Sequence, residues 1–100
     1  GYAFERFYEV FVVMAYDCSD DKRRLKVAKI MLDYGYRVQY SVFEADIDQQ
    51  LLAEMISRLQ KVISLEEDSI RIYRICQRCL EQTQLFGDAE LTNQEKVFIV

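Results

Sequence analysis

The segment from Val10 to Glu44 constrains the fold of this chain most strongly, because it contains a strand, a helix and another strand in direct succession. Residues 8–16 are almost continuously apolar and rich in β-branched and aromatic side chains, which is typical of a central strand covered by other elements. Asp17 ends this run, and the following helix extends to Gly35, a residue type that commonly ends helices. Residues 36–46 then alternate in polarity, which indicates a strand.

The polarity pattern continues the alternation of strands and helices along the rest of the chain. A bend near Tyr40-Ser41 divides residues 36–46 into two short strands. We expect a helix over 48–63, a strand over 68–75, a short turn or helix over 76–82, and short edge strands over 83–86 and 97–100. This order predicts an α+β fold, the βαββαβ ferredoxin-like sandwich with extra C-terminal edge strands. The 100 residues form one domain, 1–100, with a core at about residues 8–86.

The first helix has a capped start and two distinct faces. Ser19, Asp20 or Asp21 can cap it, because short polar side chains accept hydrogen bonds from the free amides of a first turn. Its spacing predicts an inward face made of Leu25, Ala28, Met31 and Leu32. The outward stripe is made of Lys22, Lys26 and Lys29.

The chain contains no His, which excludes several classes of chemistry. A Ser-His-Asp or Cys-His nucleophilic site cannot form within one chain, and neither can a His-ligated zinc site. Acid–base chemistry would therefore fall to Asp, Glu, Lys, Tyr, Cys or a metal-bound water.

The distribution of charge favours a binding site for phosphate. The net charge is −4, which by itself argues against binding to nucleic acid. Between Lys22 and Tyr40, however, the chain carries six basic residues and a single acidic one. A carboxylate, Asp17, next to such a cluster of cations suits a metal-bridged phosphate.

The cysteines indicate a reduced, cytoplasmic protein. Cys18, Cys76 and Cys79 form an odd set, which is unlike a disulfide framework. Residues 7–16 are too short to span a membrane and lack the basic leader and cleavage site of a secretion signal. The Cys76/Cys79 pair is a lone CxxC motif, and a structural role is its default interpretation. The alternatives are a redox role, or zinc shared between two chains.

Three blocks of sequence together resemble the CRISPR-associated Cas-two (Cas2) family. They are YDCSDDKRR at 16–24, GYRVQYSVFE at 35–44 and DSIRIYRIC at 68–76. The resemblance implies a ferredoxin-like homodimer that acts in CRISPR spacer acquisition, an antiviral defence, at the centre of a complex with the Cas-one (Cas1) integrase. It also implies a metal-dependent endonuclease acting on single-stranded RNA or double-stranded DNA. The variable tail, 87–100, is expected to pair at the dimer or partner interface.

The resemblance also implies roles for individual residues. In family terms Asp17 is the metal-associated catalytic residue, and Tyr16, which precedes it, is the second predicted catalytic residue. The basic start of the helix maps to Arg23 and Arg24. On the second strand, Arg37 and Phe43 share one face, where Phe43 either stacks on nucleic acid or packs in the core.

Two further residues complete the predicted nucleic-acid surface. Lys26 extends the basic cluster along the helix, although helix surfaces are routinely charged. Ser19 is placed to approach a phosphate or a metal-bound water, with helix capping as the alternative.

Asp17 from both subunits is the predicted metal site. One carboxylate is too few for a phosphodiester-cleaving site, and a twofold axis would supply the second. Two acids, with water and phosphate oxygens, suit Mg²⁺, and Mn²⁺ is an alternative ion.

Two other functions remain open at this point. One is a non-catalytic DNA-binding scaffold for the integrase, docked by strand addition. The other is a toxin-like RNA interferase of the same fold. The preference for RNA or DNA also stays open.

Overall fold

The computed structural model describes residues 9–90. The elements are β1 (Glu9–Asp17), α1 (Asp21–Tyr34), β2 (Tyr36–Gln39), β3 (Val42–Asp48), α2 (Gln49–Gln60), β4 (Ser69–Ile75) and α3 (Gln77–Glu81). Four strands form one sheet in the order β2-β3-β1-β4, and every neighbouring pair is antiparallel. The predicted ferredoxin-like α+β fold is confirmed. The extent of the domain, 1–100, stays a prediction because its two ends lie outside the described residues.

Alternation along β1 places apolar side chains on both faces of the sheet. Val12, Met14 and Tyr16 are buried in the main core, together with apolar residues of β3, α1 and α2. On the opposite face, Phe11 is buried against Leu80 of α3. The prediction that the central strand is covered by other elements is confirmed: one face lies in the main core, and the second face is covered at Phe11.

Side-chain caps fix the starts of the two long helices. The Asp20 carboxylate accepts a hydrogen bond from the Arg23 amide at 2.9 Å, and the Asp48 carboxylate accepts one from the Leu51 amide at 2.7 Å. Of the three capping candidates for α1, Asp20 is the residue used. Helix α2 ends at Gln60, three residues before the predicted end at 63.

The predicted inward face of α1 is half wrong. Ala28 and Met31 are buried, but Leu25 is 70% exposed and Leu32 is 51% exposed. Val27 and Ile30 take their places in the core. Because each residue turns a helix by about 100°, the core-facing arc is centred near Val27 and Met31, on the side opposite the two exposed leucines. The three lysines of the predicted outward stripe are exposed.

The predicted bend and one predicted strand have different outcomes. The turn at Tyr40-Ser41 is confirmed, and the β2–β3 register shifts between Arg37 and Gln39. The edge strand predicted over 83–86 is wrong, because those residues follow α3 as exposed irregular chain. They pair with no strand of the described sheet, and isolated strand segments are not stable. The strand predicted over 97–100 lies outside the described residues.

None of the helices found between residues 9 and 90 has the length and apolar character needed to cross a membrane.

Gly35 is required by the close approach of β3, so Gly35→Ala should destabilise the protein. The Gly35 amide donates to the Met31 carbonyl at 2.9 Å. A Cβ at this position would lie 2.3 Å from the Glu44 carbonyl oxygen and 2.8 Å from the Ala45 Cβ. We expect a loss of about 1 to 3 kcal/mol in the free energy of unfolding, measured by urea denaturation. Lys29→Ala, on the exposed side of the same helix, should change it by less than about 0.5 kcal/mol. Equal stability of the two variants would contradict the steric explanation.

Candidate nucleic-acid interface

A cleft of about 330 Å³ lies where β1 ends. It is lined by Tyr16, Asp17, Cys18, Arg24, Tyr40 and Ser41. The Tyr16 amide donates to the Ser41 carbonyl at 3.2 Å, which attaches the β2–β3 turn to the end of β1. Because of this contact, an exposed carboxylate, a guanidinium and two phenols share one cleft. The structure thus brings together Tyr16, Asp17 and Arg24 from the predicted set.

A stack of three side chains connects the cleft to the outer strand. The Tyr16 and Phe43 rings lie with centroids 6.1 Å apart. On β2, the Arg37 guanidinium lies 5.0 Å from the centroid of the Phe43 ring. Such a cation–π contact stabilises an exposed arginine by about 0.5–1 kcal/mol. Arg37 is therefore held in place while its charge stays accessible on the surface.

Phe43 cannot contact nucleic acid directly in this fold. Its side chain is completely buried, with 0% exposure. Of the two alternatives for Phe43, the structure places it in the core, where it supports Tyr16 and Arg37. Its predicted nucleic-acid contact is corrected to this indirect, packing role.

Arg24 is the cationic residue among the six that line the cleft. Its Nη1 donates to the Cys18 carbonyl at 3.1 Å, and its other terminal nitrogen pairs with Asp21. The hydrogen bond and charge of Asp21 raise the pKa of Arg24 above its ordinary value. The guanidinium is thereby fixed beside the carboxylate-bearing end of β1.

Arg23 has a different partner from its neighbour. Its Nε donates to Asp68 Oδ2 at 2.7 Å, and its Nη2 contacts Asp68 Oδ1 at 3.2 Å and Glu67 Oε1 at 3.1 Å. The Asp68 side chain has no exposed surface and also accepts from the Ser64 amide at 2.9 Å. Arg23 therefore ties the start of α1 to the loop before β4. The two carboxylates occupy its guanidinium, and it does not line the cleft.

The remaining predicted residues lie outside the cleft. The Ser19 hydroxyl donates to Glu67 Oε1 at 3.4 Å, and Asp20, not Ser19, caps α1. Lys26 is exposed on α1. Neither residue reaches the cleft lining, so any contact that they make with nucleic acid is on the surrounding surface.

One chain offers a metal ion only part of a coordination shell. Asp17 is the one carboxylate among the six lining residues, and residues 9–90 contain no group of three or more acidic or Cys side chains placed to hold a metal. Mg²⁺ takes one or two protein carboxylates and fills its other positions with water and phosphate oxygens. The donor at Asp17 has the right chemistry, and a second protein carboxylate would have to come from outside the six lining residues.

Sequence reasoning missed three residues of the cleft. Tyr40 and Ser41 were predicted only as a bend, and Cys18 only as a reduced thiol. Cys18 is buried, and this burial, followed by the charge of Asp68, raises the pKa of its thiol. The signal that could have identified Tyr40 is an aromatic residue in the predicted bend, since this bend adjoins the end of the strand that carries Asp17.

A family model described as "CRISPR associated protein Cas2" matches residues 10–83. The chain belongs to the CRISPR-associated Cas2 family. The matched span contains all four strands, both long helices and the cleft.

Relatives and solved structures agree with this assignment. A Chloroflexus aurantiacus protein named CRISPR-associated endoribonuclease Cas2 3 is 39% identical over 92 residues, 92% of this chain and 99% of that protein. Streptococcus pyogenes Cas2 at pH 6.5 aligns with a TM-score of 0.66 and 33% identity, over 77% of this chain and 99% of that one. A chain of a partial Cas6-RT-Cas1–Cas2 complex aligns with a TM-score of 0.60 and 26% identity, over 82% of this chain and 99% of that one.

The Arg23–Asp68 ion pair makes the stability of this Cas2-family protein depend on acidity. The Arg23 hydrogen bonds, then the Ser64 amide, lower the pKa of Asp68 to about 2. Because the folded pKa is below the unfolded value of about 4, the contribution is complete above pH 4 and disappears as the pH falls towards 2. We expect Asp68→Asn to lower the free energy of unfolding at pH 7. The difference in this free energy between the variant and wild type should become smaller between about pH 4 and pH 2.

Urea denaturation of wild type and Asp68→Asn across this pH range measures the difference in their free energies of unfolding. Glu67→Gln is the matched control, since it removes the exposed partner of the same arginine, and surface pairs contribute little. A difference for Asp68→Asn that stays constant from pH 7 to pH 2 would show that Asp68 is not ionised in the pair.

Proposed function

We propose that this chain is a metal-dependent endonuclease that hydrolyses phosphodiester bonds as a homodimer. The observation that carries the proposal is the exposed Asp17 carboxylate beside the Arg24 guanidinium in one open cleft. A carboxylate that can hold a divalent cation, next to a cation that can hold a phosphate oxygen, suits phosphodiester hydrolysis. The name endoribonuclease carried by the Chloroflexus aurantiacus relative supports this reaction class. Single-stranded RNA and double-stranded DNA both remain candidate substrates.

Asp17 from each subunit would hold Mg²⁺ or Mn²⁺. When bound, the ion supplies a water of lowered pKa and offsets negative charge on the reacting phosphate. Asp17 orients the site from the end of β1, where its pairing with Ser69 of β4 restricts its position. Without a cation the two carboxylates would repel each other.

Arg24 and Tyr16 have different roles in substrate binding. Arg24 neutralises a backbone phosphate and, held by Cys18 and Asp21, loses little side-chain freedom on binding. The Tyr16 ring forms a wall of the cleft and is supported by Phe43.

The surface around the cleft binds nucleic acid without reading its sequence. Arg37, steadied on Phe43, and Lys26 on α1 carry accessible charge. Contacts of cations with backbone phosphates position a nucleic acid and give affinity, but carry no sequence information. Ser19 lies beside this surface, and its hydroxyl already contacts Glu67.

Scaffolding of the Cas1 integrase is the second proposed function. It is favoured by the similarity to a chain of the partial Cas6-RT-Cas1–Cas2 complex. The segment proposed to dock the partner by strand addition, 97–100, lies outside the described residues. A scaffold needs the basic surface but not the Asp17 carboxylate, so the two functions respond differently to substitution of Asp17.

Asp17→Asn should abolish metal-dependent cleavage while leaving the fold intact. The substitution removes a charged metal ligand at an exposed position, and loss of several kcal/mol corresponds to at least about 100-fold in rate. The measurement is cleavage of labelled single-stranded RNA and double-stranded DNA with Mg²⁺, Mn²⁺ or EDTA. Asp88→Asn, an exposed carboxylate distant in sequence from the cleft, is the control. Equal cleavage by Asp17→Asn and wild type would overturn the proposed enzyme site, because cleavage would then not depend on the Asp17 carboxylate.

Arg37→Gln should weaken binding to nucleic acid and reduce its dependence on salt. Each phosphate contact releases about one counterion, so the slope of log K against log salt should fall by about one unit. Fluorescence anisotropy with a labelled duplex between low and physiological salt measures the slope. Lys61→Gln, an exposed cation outside the basic segment, should leave it unchanged. A wild-type affinity that is independent of salt would contradict the proposed phosphate surface.

A further inference from the structure

The CxxC motif occupies the junction between β4 and α3, away from the cleft. Cys76 is the residue before the first turn of α3, and its sulfur accepts a hydrogen bond from the Cys79 amide at 3.5 Å. Both residues are exposed, whereas Cys18 is buried in the main core. The two exposed thiols are therefore adjacent to each other and open to small reagents.

The geometry of this junction permits a bond between the two sulfurs. The Cys79 Cβ is two covalent bonds from the amide nitrogen that the Cys76 sulfur already contacts. Rotation of the two side chains can then bring the sulfurs towards the S–S distance of about 2 Å that a disulfide requires. Cys76 itself is in an extended conformation, φ −70° and ψ 161°, that directs its side chain over the turn.

The pKa values of the two thiols are shifted in opposite directions. Hydrogen bonds from the Cys79 backbone amide and then from its thiol lower the pKa of Cys76. The hydrogen bond to Cys76 and its charge raise the pKa of Cys79. Cys76 is thus the member of the pair with more thiolate character, and the thiolate is the reactive form in disulfide exchange.

We infer that Cys76 and Cys79 form a redox-active dithiol that closes reversibly into an intramolecular disulfide. The oxidant is a low-molecular-weight disulfide. The Cys76 thiolate attacks one of its sulfurs, forming a mixed disulfide and releasing one thiolate. Cys79 loses its proton to solvent and attacks the Cys76 sulfur, which forms the internal disulfide and releases the second thiolate. The protein loses two electrons and two protons, and the oxidant is reduced to two thiols.

The position of the pair shows which part of the molecule would respond. Ile75, next to Cys76, pairs with Phe11 of β1, whereas Asp17 pairs with Ser69 at the other end of the same ladder. The six residue steps from Phe11 to Asp17 correspond to about 20 Å of strand. Closure would lock the first turn of α3, whose Leu80 packs on Phe11. The disulfide would therefore fix the covering of the sheet face opposite the long helices, without touching the cleft.

The test uses the full chain, first reduced and then incubated with oxidised glutathione. We expect wild type to become lighter by two hydrogen atoms and to carry no glutathione, with both exposed thiols lost to alkylation under native conditions. Dithiothreitol should restore the original mass and the reactivity of both exposed thiols. Cys18, alkylated only after denaturation, reports that the fold is intact. Peptide mapping identifies the Cys76–Cys79 bond.

Single substitutions provide the matched controls. Cys79→Ser and Cys76→Ser each change one exposed sulfur to oxygen, and each should stop at a stable glutathione adduct on the remaining thiol. Any of three wild-type results would overturn the inference: glutathione retained on Cys76 or Cys79, disulfides between chains in place of the internal one, or no reaction of either thiol.

Discussion

Pairing of β1 on both of its edges is the constraint on which the rest of the structure depends. It pairs with β3 on one side and with β4 on the other, and its side chains are buried on both faces. A shift of one residue would move Val12 and Met14 out of the main core, so the register is strongly specified. Asp17 is thereby held at the end of the strand, in register with Ser69 and beside the turn that contains Ser41.

Neighbouring arginines at the start of α1 serve different purposes because the helix points them in different directions. Arg23 is bound to the buried carboxylate of Asp68, which anchors the helix to the loop before β4. Arg24, about 100° further around the helix, faces the cleft. One arginine thus anchors the start of α1 to the loop before β4, and the other lines the cleft.

The arrangement of the cleft makes assembly part of the proposed chemistry. A single Cas2-family chain contributes one carboxylate to this cleft, and a divalent cation that bridges phosphate is better held by two. The Cys76/Cys79 pair lies at the opposite end of the β1–β4 ladder. A change in its redox state would therefore act on the packing of α3 against Phe11, while Asp17 keeps its surroundings.

Local patterns in the sequence were sufficient for the order of elements up to the short helix α3, the helix end at Gly35 and the bend at Tyr40-Ser41. These features depend on periods of two and 3.6 residues and on turn chemistry, which neighbouring residues encode. The same reasoning wrongly placed Leu25 and Leu32 in the core. The helix carries apolar residues on more than one side, and its sequence alone does not show which side packs on the sheet.

By itself, the sequence determined the fold class and the acid at the end of β1. Only the tertiary structure decided that Arg23 is bound to Asp68, 45 residues away, and that Tyr40 joins Asp17 and Arg24 in one cleft. It also decided that Phe43 is fully buried beneath Arg37. The physical reason is that such contacts join segments distant along the chain. Strand register and helix packing set the distances between those segments, and no local pattern contains them.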